Sequence, residues 1–143
     1  MNFRSVSIII FLIGFSFQGY SQSIRIENRY GNALYYVDQN VLKANNRYGN
    51  FILFYSENTL GLKNKYGEPI YYLDGDVLKV KNRYGEALLF FDGNYIKSRS
   101  RYGESLYYLD GNVLKRTNLY GEPVYFFEEI PHRWVLAAVI LFL

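Results

Sequence analysis

The dipeptide Tyr-Gly falls at Tyr30-Gly31, Tyr48-Gly49, Tyr66-Gly67, Tyr84-Gly85, Tyr102-Gly103 and Tyr120-Gly121, each copy 18 residues after the one before. A period this short and this strict constrains the fold more than any other feature. One copy is a single supersecondary unit too small to bury an apolar face alone, so neighbouring copies must share a core. The unit reads basic residue, Tyr, Gly, Glu or Asn, a variable residue and four mostly apolar residues. Asp-Gly-Asn, Val-Leu-Lys, two variable residues and Asn complete it, as residues 65–82 (KYGEPIYYLDGDVLKVKN) show most cleanly.

Ile70-Tyr71-Tyr72-Leu73 and Val77-Leu78-Lys79-Val80 are rich in β-branched and aromatic residues and flank the turn signal Asp74-Gly75-Asp76. Two short strands and a tight turn follow, since Gly, and tolerably Asp or Asn, adopts the positive φ that matches strand twist. The signal recurs at Asp92-Gly93-Asn94 and Asp110-Gly111-Asn112 and weakens at Asp38-Gln39-Asn40 and Ser56-Glu57-Asn58. The Tyr-Gly step is expected to make the second reversal. Gly31, Gly49, Gly67, Gly85, Gly103 and Gly121 would supply a positive φ there, with the tyrosine covering the turn. No segment between turn signals is long enough for a typical helix.

Residues 24–29 match only the second strand of a unit and residues 120–127 only the first. If these halves pair, the chain closes into a shallow all-β ring of twelve short strands, about six hairpins, without a free edge. Strict alternation puts Leu34, Ile52, Ile70, Leu88, Leu106 and Val124 on one face with Tyr36, Phe54, Tyr72, Phe90, Tyr108 and Phe126. Tyr35, Leu53, Tyr71, Leu89, Tyr107 and Tyr125 take the other, and either face can be the interior. A left-handed β-helix also has coils near this length, but its anchors repeat every six residues. Here Leu34, Leu42 and Ile52 are spaced by eight and ten.

Tyr-Gly-Glu, Tyr-Tyr-x-Asp-Gly-Asn and Val-Leu-Lys, recurring over residues 24–130, resemble the β-flower families, in which small hairpins surround a shallow central channel. The resemblance implies a five- or six-fold fold of that kind and no activity. A looser likeness is to choline- and glucan-binding repeats, whose hairpins lean on Trp, which this array lacks.

Outside the array, residues 1–21 read as a signal peptide. Arg4 precedes an apolar run from Val6 to Phe17, and the small residues Gly19 and Ser21 suit a cut before Gln22. An uncleaved anchor is the alternative. Export, to the cell surface, periplasm or medium, is the expected destination. Without a cysteine in 143 residues, stability must come from packing and hydrogen bonds. Removing residues 1–21 takes away Arg4 alone among charged residues and leaves 15 basic against 13 acidic, too even a balance for nucleic acid.

Catalysis needs unlike groups held together, and nothing here singles out such a set, so no enzyme and no cofactor is expected. His132, the only histidine, sits between Pro131 and Arg133 as an expected turn residue. Asp38, Asp74, Asp92 and Asp110 are each accounted for by turn chemistry, so no metal site is expected. Glu68, Glu86, Glu104 and Glu122 share a rim with Arg29, Arg47, Lys65, Arg83 and Arg101, as solvated compensating charges or as a polar mouth. Tyr35, Tyr71, Tyr107 and Tyr125 are the candidate ligand-facing aromatics, able to stack on sugar rings or to fill the core.

The expected function is a non-catalytic structural or interaction module of the envelope. The alternatives are an aromatic glycan-binding repeat and a membrane-associated barrel tethered by its C-terminus. That C-terminal segment, residues 131–143, is apolar on every side after Pro131-His132-Arg133, so as a helix it must leave water. Threading the ring as its core is one solution; dipping into a membrane or a partner is the other. Its ten final residues would extend about 15 Å as a helix, half a bilayer core.

Overall fold

The computed structural model describes residues 20–62 and 66–143. The expected signal segment therefore lies almost wholly outside the described residues, as does Lys65. The first six strands are β1 (Ser21–Ile26), β2 (Ala33–Asp38), β3 (Val41–Ala44), β4 (Phe51–Ser56), β5 (Thr59–Leu62) and β6 (Pro69–Asp74). The next six are β7 (Val77–Val80), β8 (Ala87–Asp92), β9 (Tyr95–Ser98), β10 (Ser105–Asp110), β11 (Val113–Arg116) and β12 (Pro123–Phe127), followed by one helix, α1 (Arg133–Leu141).

Every strand pairs antiparallel with its sequence neighbours, and β1 pairs with β12 through Ile24↔Phe127, Arg25↔Phe126 and Ile26↔Tyr125. The two half-copies thus complete one unit and shut a twelve-strand barrel. It is one continuous sheet rather than six separate hairpins, because strands of adjacent units are hydrogen-bonded just as strands within a unit are. Closure leaves no open edge to recruit another chain.

The hairpin turns are two-residue loops in which the Asp closes the strand and the next two residues turn. Gly75, Gly93 and Gly111 sit at φ 59°, 60° and 62° at the first loop position, the pattern of a II′ turn. Gln39 takes the same place at φ 58°, whereas Glu57 and Asn58 are both positive, as a I′ turn requires.

The face assignment expected from strict alternation fails at one position in every unit. Leu34, Ile52, Ile70, Leu88, Leu106 and Val124 are each skipped where the register shifts, for instance between Leu42↔Leu53 and Lys43↔Phe51. Each is a bulge residue, and a bulge places two consecutive side chains toward one face. These six therefore pack against the core beside Tyr35, Leu53, Tyr71, Leu89, Tyr107 and Tyr125, not beside the outward Tyr36 set. Bulge carbonyls are capped by the next reversal: Asn45 N–H donates to Leu34 O at 2.8 Å and Lys81 N–H to Ile70 O at 2.9 Å.

A closed barrel of eight strands is just filled by its own side chains, so twelve leave an interior that side chains alone do not fill. The residues inside include Ile24 of β1 and Leu42, Leu60, Leu78, Ile96 and Leu114 of the four-residue strands, all within 1% of complete burial, with Val37, Leu53, Leu73, Phe91 and Phe127 from the longer strands. Trp134 through Ile140 of α1 are all buried and belong to the same core cluster. Five of those seven are large, and at about 1.5–3 kcal/mol per buried side chain their gross contribution is on the order of 10 kcal/mol, comparable with a domain's net stability.

Candidate functional site

Six apolar rings escape this packing. Tyr30, Tyr48, Tyr66, Tyr84, Tyr102 and Tyr120 are 83–92% exposed, one in each inter-hairpin loop, all on the rim opposite the Asp turns. The Tyr-Gly tyrosine does not cover its turn. It projects into solvent from a backbone that is held tightly.

Two devices hold that backbone. The side chain two residues earlier caps the loop: Asn28, Asn46, Asn82 and Asn118 each accept the tyrosine N–H at 2.9 Å, and Ser100 does so at 3.3 Å. The glycine then runs against the carbonyl five residues upstream. A Cβ on Gly49, Gly85, Gly103 or Gly121 would stand 1.6–1.7 Å from that oxygen, and on Gly31 1.9 Å.

These glycines are thus required by close approach and not, as expected, by a positive φ. The left-handed residues of this loop are Glu27, Asn45, Lys81, Arg99 and Thr117, each four places before its glycine, at φ 55–68°. Only Asn is at home there. Gly67 adjoins residues 63–65, which lie outside the described residues.

Charges of both signs surround the rings. Arg47 lies over Tyr48 at 5.2 Å and Arg83 over Tyr84 at 5.8 Å, while Arg101 turns instead to Phe90. Glu68, Glu86, Glu104 and Glu122 are exposed beside them, and Glu86 pairs with Arg99 of the next loop at 3.3 Å. Both members of that pair are largely solvated, so it contributes little to stability.

The aromatics expected to face a ligand are elsewhere. Tyr125 is buried, and Tyr35, Tyr71 and Tyr107 are half-buried against the core, because regular alternation puts them on the inward face with Val37, Leu73, Leu109 and Phe127. Tyr35 meets Tyr125 edge-on at 6.1 Å, and burial raises the Tyr125 phenol well above its ordinary range. The exposed set is legible from its surroundings: each Tyr-Gly tyrosine lies outside both strand patterns, and all but Tyr120, which follows Leu119, stand among polar residues.

On the opposite rim nearly every acidic side chain is paired. Lys43, Lys79, Lys97 and Lys115 bind Asp38, Asp74, Asp92 and Asp110 at 2.8–3.0 Å. Each also donates to a carbonyl of the following tyrosine loop, Lys97 to Arg101 O at 2.9 Å for instance, and so ties the two rims together. The lysine bond holds the Asp74 and Asp92 carboxyls below their usual range. Arg133 anchors α1 to this rim through Gly75 O and Asp76, and Trp134 stacks on Tyr55 at 5.2 Å. His132 is the helix N-cap, exposed and edge-on to the Tyr20 ring at 4.1 Å.

Among the described residues, no three His, Asp or Glu side chains gather as metal ligands would. No helix there is long and apolar enough to cross a membrane. Comparison with family models, with curated proteins and with solved structures finds no match to this chain.

Proposed function

We propose that the protein is a non-catalytic interaction module of the cell envelope that binds through its tyrosine rim, and that its fold kinship lies with the β-flower proteins. The observation that carries the binding reading is the ring of six tyrosines 83–92% exposed on tightly held loops. Tyrosine offers a large amphipathic face at little entropy cost once its backbone is fixed, and rings exposed to this degree add little to the core. The kinship is supported by the closed circle of 18-residue units around a central element. Export rests on the sequence of residues 1–21 alone.

The ligand class this rim suits best is a glycan polymer. Aromatic faces stack on sugar rings, and the neighbouring Arg, Asn and Glu side chains supply donors and acceptors for hydroxyls. Six equivalent positions around a ring also suit a ligand that repeats, since linked weak contacts add up to avidity. Tethering by the C-terminus finds less support. The apolar residues of α1 that would enter a bilayer are spent inside the barrel, as its plug, and strands of four to six residues are short of the 9–11 or so that span one.

Titration with solubilised envelope polysaccharide tests the reading. Binding quenches tyrosine fluorescence and retains the protein on the immobilised polymer. Passage through the column without quenching removes the glycan reading.

A further inference from the structure

One hairpin breaks the pattern of its siblings at two facing places. Where the others carry Asp and Lys, the β4–β5 hairpin carries Ser56 and Gly61. In the siblings the lysine stem lies along the outer wall, with its ammonium between the turn carboxylate and a loop carbonyl. The closest template is Lys115, which stands in register between Tyr108 on one side and Pro123 on the other. Gly61 stands in the same register between Phe54 and Pro69. The walls are kept and the side chain between them is gone. What remains is a notch of about 160 Å³, floored by Gly61, with Ser56, Glu57 and Thr59 among its lining.

We propose that this notch is a binding slot for the aminoalkyl side chain of a lysine presented by a partner protein, seated as Lys115 is seated in its own hairpin. Phe54 and Pro69 offer an apolar channel for the methylene stem, and an aromatic wall also favours the cation, as Phe51 does for Lys43 at 5.1 Å. The missing Asp is replaced by two acceptors, the Ser56 hydroxyl and the Glu57 carboxylate. Of the six acidic side chains in the hairpin turns, Asp38, Asp74, Asp92 and Asp110 hold lysines and Asp76 holds Arg133. Among the described residues, Glu57 alone of that group has no ion-pair partner. The slot is thus complementary in shape to a lysine stem and in charge to its head, and it lies on the outer wall, with Gly67 of the Tyr66-Gly67 loop among its lining.

The test is an NMR titration of the full protein with Nα-acetyl-lysine methylamide against its uncharged counterpart, Nα-acetyl-norleucine methylamide. The slot predicts saturable shifts of the Thr59, Gly61 and Gly67 amides with the lysine compound and at least tenfold weaker binding of the norleucine compound. It also predicts that the double variant Ser56→Asp, Gly61→Lys fills its own notch, melts at or above the parent temperature and no longer responds. No saturable shift in the parent, equal affinity for the two compounds, or an undiminished response in the folded double variant would each overturn it.

Discussion

The two rims of the barrel are built from the same repeat and treat their polar and aromatic groups in opposite ways. On the hairpin-turn rim, four Asp–Lys pairs and the Arg133 contacts occupy nearly every charge. On the Tyr-Gly rim the backbone is clamped by capping side chains and close glycines, yet six tyrosine rings are left in water. The difference separates structure from presentation. One rim closes hairpins and seats the helix; the other holds a surface still.

The largest way to disturb that arrangement is to take out the element the barrel encloses. Truncation after Glu129 removes α1 and empties the centre of a barrel too wide for its own side chains. The cooperative thermal transition is expected to disappear, and circular dichroism melts check it; an unchanged transition would mean that the twelve strands close without the helix.

Next in size is the clamp. Gly103→Val drives a side chain into the Ser98 carbonyl, where a Cβ already stands at 1.7 Å. A loss of about 3 kcal/mol or more is expected in denaturant melts, since backbone rather than a flexible side chain must move. The same substitution at Gly111 meets nothing within 4 Å and is strained only by φ 62°, so it should cost less, about 1–2 kcal/mol.

This pair of glycines also marks how far the sequence could be read. The period, the complementary half-copies at residues 24–29 and 120–127, and the apolar residues 134–143 made the closed ring and its helix legible, because each is a pattern of composition along the chain. Which face of a strand is inside was not legible. A bulge at Ile52 or Leu88 leaves no mark in an apolar run, yet it moves one side chain in each unit across the sheet. The reason for the Tyr-Gly glycine was hidden too, since it lies in a carbonyl five residues away rather than in the residue's own φ. Alternation alone leaves either face free to be the interior, and the structure puts Tyr35, Tyr71, Tyr107 and Tyr125 against the core while the most exposed tyrosines stand in the loops.

A smaller effect of opposite sign belongs to the same loops. Thr117 is β-branched and sits at φ 63°, where Asn45 occupies the equivalent place in its own copy. Thr117→Asn should raise stability by about 0.5–1 kcal/mol, read as an increase in melting temperature.

The smallest effect is in acid. The lysine hydrogen bond lowers the folded-state values of Asp74 and Asp92, so their stabilisation is complete above about pH 4, the unfolded carboxyl range, and is lost as pH falls through the folded values. Lys97→Met should melt slightly earlier than the parent at pH 7. Its melting temperature should fall less than the parent's between about pH 4 and pH 2, because Asp92 no longer gains from being charged.

The division between the rims is tested most directly by Tyr48→Ser, Tyr84→Ser and Tyr120→Ser in one protein, measured for both melting temperature and polysaccharide-induced fluorescence quenching. The account predicts a melting temperature within about 2 °C of the parent's, since surface changes of this kind usually cost little, together with loss of retention on the polymer. A substantially lower melting temperature, or retention equal to the parent's, would show that these tyrosines stabilise the fold or take no part in binding, and would contradict it.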